Sequence, residues 1–155
     1  MRLSAMLVII ALLVVSAPGL RAHVVYDKSS RAHQCLSLAM YWEARGEGPR
    51  GMVAVASVVM NRVAHGDFPA SVCGVVYQGG ETGGCQFSWW CDGKSDRPRD
   101  YSQWQLAARL ANDVLRGTMA DPTRGALFFH ATSVSSRWHR SRLRTARIGN
   151  HVFYR

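Results

Sequence analysis

Glutamate is scarce in this chain. Only three occur in 155 residues, Glu43, Glu47 and Glu81, so any chemistry that needs a glutamate rests on very few positions. A C-x-x-C pair is absent, the only close His–Cys pair is His33/Cys35, and His130, His139 and His151 are irregularly spaced. A metal site is therefore not expected, and no cofactor is expected either. There is no internal repeat and no long low-complexity segment. The apolar run from Leu3 to Val15, broken only by Ser4, falls short of the ~20 residues that span a bilayer. No cysteine stands at its end, which removes the attachment point a lipid anchor would need.

What that N-terminal stretch does have is the form of a secretory signal: Met1-Arg2, the apolar run, then small residues. We expect residues 1–22 to be a signal peptide cleaved near Ala22, with Ala17 as the alternative, and 23–155 to be one domain. An uncleaved anchor is the competing reading, because the run lacks a clean A-x-A ending. Export places Cys35, Cys73, Cys85 and Cys91 in an oxidising compartment, where an even count suggests two disulfides. Three pairings are open, and Cys35–Cys73 with Cys85–Cys91 is favoured. The second pair requires the chain to fold back, since six residues of straight strand span ~20 Å. The formal charge is +9, or +7 once Arg2 and Arg21 leave with the signal. A basic exported protein is drawn to anionic polymers or surfaces, but charge alone does not choose among cell wall, membrane and nucleic acid.

Residues 32–45 carry Leu36, Ala39 and Met40 near helical spacing and end at Gly46 and Gly48-Pro49, which predicts a first helix. Residues 51–65, GMVAVASVVMNRVAH, are rich in valine, which favours strand. The stretch shows no alternation, however, and Ser57, Asn61 and His65 recur every four residues, so a mostly buried helix is expected. CQFSWWCDG alternates and reads as a strand or hairpin, with Phe87 and Trp89 on one face and Gln86, Ser88 and Trp90 on the other. Ser102 to Arg116 reads as a helix capped by Ser102 and ended by Gly117. GALFFHA and HVFYR read as short extended segments. The sum is α+β, predominantly α, with a small β-hairpin.

Two of the three glutamates lie in MYWEARGEGPRG, residues 40–51. Glu43 falls in the last turn of the first helix, at the negative pole of its dipole, and is flanked by Tyr41 and Trp42. Dehydration by aromatic neighbours and an unfavourable dipole both raise a carboxyl pKa. A carboxylic acid that keeps its proton near neutral pH is what breaking a glycosidic bond requires. Glu43 is thus a candidate general acid. The competing reading is an exposed carboxylate paired with Arg45 or Arg50.

The stretch YWEARGEGPRGMVAVASVVMNRV, followed by FPASVCGVVYQ, CQFSWWCDG and ARIGNHVFYR, resembles the SleB-type cell-wall hydrolases, the family that includes spore-cortex-lytic enzymes. The likeness covers about residues 33–155. It implies a lysozyme-like single domain, cleavage of the MurNAc–GlcNAc bond of peptidoglycan, and a catalytic glutamate matching Glu43. One departure stands out: where the family often reads G-A-x-H-Y-H-A, this chain has GALFFHA, so Phe128 and Phe129 replace a histidine and a tyrosine.

Other residues take lesser parts. Glu47 is read as structural, accepting hydrogen bonds near the start of the next helix, rather than as a second carboxylate. Glu81, in the glycine-rich QGGETGGC, is read as a solvated loop residue rather than a second carboxylate. With no obvious second carboxylate, a lytic transglycosylase is favoured over an inverting hydrolase. Gln86, Ser88 and Trp90 are candidates to bind the sugar, with Tyr77 and Gln78 beside them. His151 is expected to be a structural hydrogen-bonding group, and the run Arg137, Arg140, Arg142, Arg144, Arg147 a solvated face. The expected partner is peptidoglycan in the periplasm or envelope, without nucleic acid and without stable membrane insertion once the signal is removed. A non-catalytic wall-binding module is the alternative. A nuclease is disfavoured because no phosphate-binding motif or metal cluster is present.

Overall fold

The structure is a computed structural model. It describes residues 19–80, 84–134 and 138–155, with side chains from Ser30 onward and excluding those of 138 and 139. Residues 1–18, most of the expected signal peptide, lie outside the described residues, as do Glu81 and Arg137.

Four helices come first: α1 (Gly19–Ala44), α2 (Gly48–Val63), α3 (Val72–Val76) and α4 (Tyr101–Leu115). Between α3 and α4 lies a short 3-10 helix, Ser88–Cys91. Three strands follow: β1 (Phe128–Ala131), β2 (Arg144–Ile148) and β3 (His151–Tyr154). No helix among the described residues is long and apolar enough to cross a membrane.

Helix α2 explains its own sequence. One side packs Met52, Val55 and Val59 against Leu36, Met40 and Tyr41 of α1 and against Val75 and Val76 of α3. The opposite side packs Ala54 and Val58 against Ala126, Ile148 and Phe153. A helix covered on two sides has room only for a narrow polar stripe, and each polar group on it has a task. Ser57 Oγ donates to the carbonyl of Val53 at 2.8 Å. Asn61 Nδ2 donates to Asp121 and to the carbonyl of Ala126, both at 3.0 Å. Arg62 Nε donates to the carbonyl of Leu127 at 2.7 Å. Together Asn61 and Arg62 hold the entry to β1. The valines that mimic a strand are there because the whole helix is core.

Two elements differ from expectation. CQFSWWCDG is not a strand: Trp90 N–H donates to the carbonyl of Phe87 at 3.2 Å, closing a 3-10 turn. That turn folds the chain back so that Cys85 pairs with Cys91, while Cys35 of α1 pairs with Cys73 of α3, the pairing favoured from sequence. GALFFHA and HVFYR do supply strands β1 and β3, as expected, and with the unforeseen β2 they form an antiparallel sheet of order β1-β3-β2. Strand β2 falls inside the arginine run. A bulge between Arg144 and Ala146 hides its alternation, leaving Arg144 and Arg147 exposed and Ile148 buried. The cap of α4 is also two residues earlier than expected. Asp100 accepts from Gln103 N–H at 3.1 Å, and Ser102 donates its hydroxyl to Asp100 at 2.8 Å.

The β2–β3 turn depends on Gly149, which has φ of 55°. A Cβ there would also meet the Glu47 carboxylate. Gly149→Ala is expected to cost ~2 kcal/mol or more, from the left-handed backbone plus displacement of Glu47. Thermal denaturation at one pH checks this, and an unchanged Tm would refute it.

Candidate active site

Four parts of the chain meet at a cleft of about 630 Å³. The end of α1 supplies Glu43, and α2 supplies Arg62. The segment before and into the 3-10 turn supplies Gln86 and Ser88. The sheet supplies Phe128, Phe129, His130 and His151, with Arg142 beside them. Glu43 is the only carboxylate among the described residues lining this cleft. It is half-buried, and burial raises its pKa to about 7.

The aromatic neighbours of Glu43 in sequence do not line this cleft. Tyr41 and Trp42 turn away from Glu43 into a separate hollow with Arg45, Trp89, Asp96 and Asp100. Successive helical residues point ~100° apart, so neighbours in sequence need not share a face. Tyr41 and Trp42 anchor the helix end instead. The Tyr41 hydroxyl accepts from the N–H of Arg99 and Asp100 at 3.1 and 3.0 Å, and Trp42 Nε1 donates to the carbonyl of Asp96 at 3.2 Å. Arg45 stacks over both rings, 5.2 and 4.7 Å from their centroids. On the cleft side the apolar walls are Phe128 and Phe129, the two residues that depart from the family pattern.

Glu47 stands outside the cleft lining. It accepts from Asn150 N–H at 2.8 Å and from Asn150 Nδ2 at 3.1 Å, which lowers its pKa. Its partner is thus the β2–β3 turn, not the start of α2 as expected. The contact fixes Asn150 and so the adjacent His151, which reaches the cleft wall. His151 is buried, its Nδ1 has no hydrogen-bond partner, and burial lowers its pKa. His130 is held by its own ring nitrogens, Nδ1 against the carbonyl of Ala131 at 2.8 Å and Nε2 against the Tyr154 hydroxyl at 3.1 Å.

Of the residues singled out in the sequence, Glu43, Gln86 and Ser88 come together in the cleft. Tyr77 and Gln78 lie in an adjoining hollow of about 650 Å³ that shares Gln86 as a wall. Trp90 is in neither lining. With three residues per 3-10 turn it no longer follows Gln86 and Ser88, and it packs on Tyr77 at 4.2 Å instead. Arg62 was not foreseen as a cleft residue, and Phe128 and Phe129 stood out in the sequence only as departures from the family pattern. For Arg62 the N-R-V motif was a usable signal.

A helical core with a small antiparallel sheet, and one dehydrated glutamate at a helix end facing the cleft between them, is a lysozyme-like α+β domain. The chain belongs to the cell wall hydrolase family, whose model matches residues 46–154, beginning just past Glu43. It is 36% identical over 121 residues to a spore cortex-lytic enzyme of Halalkalibacterium halodurans, covering 77% of this chain and 33% of that protein. It is 37% identical over 120 residues to a spore cortex-lytic enzyme of Bacillus subtilis, covering 76% of this chain and 35% of that one. The chain thus spans about a third of the length of the curated relatives it matches. Among solved structures it is similar to the catalytic domain of the germination-specific lytic transglycosylase SleB from Bacillus anthracis. That likeness has a TM-score of 0.65 and 32% identity, covering 80% of this chain and 93% of that one.

Proposed function

We propose that this chain is an exported peptidoglycan glycosidase that cuts the MurNAc–GlcNAc bond as a lytic transglycosylase, with Glu43 as both acid and base. The observation that carries the reading is a glutamate with a pKa of about 7 lining a cleft between helices and sheet. Near neutral pH such a group is protonated in a large fraction of molecules and is regenerated easily after giving its proton up.

The reaction follows from that. The Glu43 carboxyl donates its proton to the glycosidic oxygen, and the bond from that oxygen to the MurNAc anomeric carbon breaks. Positive charge develops on the ring. Glu43, now a carboxylate, accepts the proton of the MurNAc C6 hydroxyl as that oxygen attacks the anomeric carbon. A 1,6-anhydro sugar forms, the glutamate is protonated again, and no water is consumed. Gln86 and Ser88, which line the cleft with Glu43, are assigned on this reading to hydrogen-bond an N-acetyl group. The hollow beside Gln86, with Tyr77 and Gln78, extends the groove along the glycan. Phe128 and Phe129 keep the Glu43 side of the cleft dry, which raises the carboxyl pKa. The similarity to a lytic transglycosylase catalytic domain supports the same reading, and the signal-like N-terminus supports action in the envelope.

Mass spectrometry of fragments released from purified peptidoglycan by residues 23–155 tests this directly. Anhydro-muropeptides are expected. Reducing ends in their place would refute the transglycosylase step and leave a hydrolase needing a second group to activate water.

A further inference from the structure

Arg62 is 4% exposed, yet it lines the cleft with Glu43. Of its five N–H donors, the Nε one is used on the Leu127 carbonyl at 2.7 Å. Nη1 is buried without a hydrogen-bond partner. The rings of Phe68, Phe87 and Phe128 lie 5.2, 5.8 and 5.7 Å from the guanidinium carbon; they attract a cation but do not replace its lost hydrogen bonds. Burial lowers its pKa to about 10, so it stays charged at neutral pH. Dehydrating a cation costs several kcal/mol, normally offset by a buried carboxylate. Holding a carbonyl at the entry to β1 does not require such a group: Asn61, next in sequence, holds the Ala126 carbonyl with a neutral amide at 3.0 Å. A second cation, Arg142, lies 3.6 Å from the Phe128 centroid and lines the same cleft. Two cations therefore stand in the cleft wall, and Arg62 carries a buried Nη1 donor that no protein group takes up.

On the glycosidase reading above, the bound glycan alternates two sugars. Both carry an N-acetyl group. Only MurNAc also carries a 3-O-lactyl arm, whose acyl oxygen belongs to an amide where a stem peptide is attached and to a carboxylate where it is not. We propose that Arg62 is the positioning residue that receives this acyl oxygen and makes the cleft select MurNAc over GlcNAc. A guanidinium fork suits an acyl group in either state, and more strongly the carboxylate.

Titration calorimetry in the Glu43→Gln background separates this from a structural role. The ligands are a GlcNAc–MurNAc tetrasaccharide, with and without stem peptides, and chitotetraose, which lacks lactyl arms. A charge-assisted hydrogen bond is worth ~1.5–3 kcal/mol, so the MurNAc glycans are expected to bind ~10–100-fold tighter than chitotetraose. Adding Arg62→Met is expected to erase that preference, with the loss of affinity falling mainly on the MurNAc glycans. Arg62→Lys, which keeps charge but not the fork, is expected to retain part of it and serves if the Met variant does not fold. Loss of affinity for both glycans alike, or a preference that survives both substitutions, overturns the assignment. Binding of neither glycan by the Glu43→Gln protein overturns the glycosidase reading, and this inference with it.

Discussion

Glu43→Gln is expected to reduce glycan cleavage by ~10²–10⁴-fold and, at the same time, to make the folded protein more stable above neutral pH. The first effect follows from the leaving group. Without a proton donor the glycosidic oxygen must depart as an alkoxide, and an amide cannot supply the proton. The second follows from linkage. The folded-state pKa of Glu43 is about 7 against an ordinary value of 4.5. Its favourable contribution is complete below the unfolded pKa and is lost as pH rises through the folded one, because the folded state must then hold a dehydrated carboxylate. Glutamine carries no such dependence. The two proteins should differ little in stability near pH 4 and diverge through pH 7, with an upper limit of ~3 kcal/mol for a half-buried group. Wild-type activity should fall on the alkaline side with an apparent pKa near that of Glu43. Denaturant melts at several pH values, beside the rate profile, decide the matter. A stability difference independent of pH, or a variant that keeps its activity, would remove Glu43 from its proposed role.

Replacing Cys35 and Cys73 together by serine is expected to destabilise the domain by ~4 kcal/mol, from the loop entropy released when a 38-residue separation is no longer closed. That is a large part of the 5–15 kcal/mol typical of a whole domain. The Cys85–Cys91 bridge closes a separation of only 6 residues, and the same relation gives ~2 kcal/mol. The two should also differ in kind. Cys35–Cys73 ties α3 to α1 within the main core, so its loss should lower Tm for the whole domain. Cys85–Cys91 brackets Gln86 and Ser88, so its loss should weaken glycan binding more than Tm. Equal Tm losses in the two double variants would contradict this ordering.

The helices were legible in the sequence where one physical signal dominated. The stripe of Ser57 and Asn61 marked α2 as a helix against its valine content, and Asn61 proved to use that position to hold Asp121 and Ala126. Strand β2 was illegible because its bulge breaks the period that identifies strands. The CQFSWWCDG alternation was misleading for another reason. A disulfide across six residues forces a turn, and a 3-10 turn can bury Phe87 and Trp89 as a strand would while sending Trp90 elsewhere. For the site, a dehydrated Glu43 was expected but its surroundings were not. Sequence neighbours on a helix are not spatial neighbours, and the phenylalanines that wall the cleft lie more than eighty positions away in the chain.

The sheet order β1-β3-β2 makes the strand that comes last among the described elements the one on which the other two depend. Every ladder in the sheet includes β3, and it brings His151 to the cleft. During synthesis or passage across a membrane with the N-terminus leading, the helices emerge first and can pack on one another through local contacts. The sheet wall cannot form until residues 151–154 are free to enter between β1 and β2. Until then the helices can pack, but the wall beside Glu43 and the groove it closes are incomplete. On the proposed reading, the cutting site is completed only after the rest of the domain has emerged.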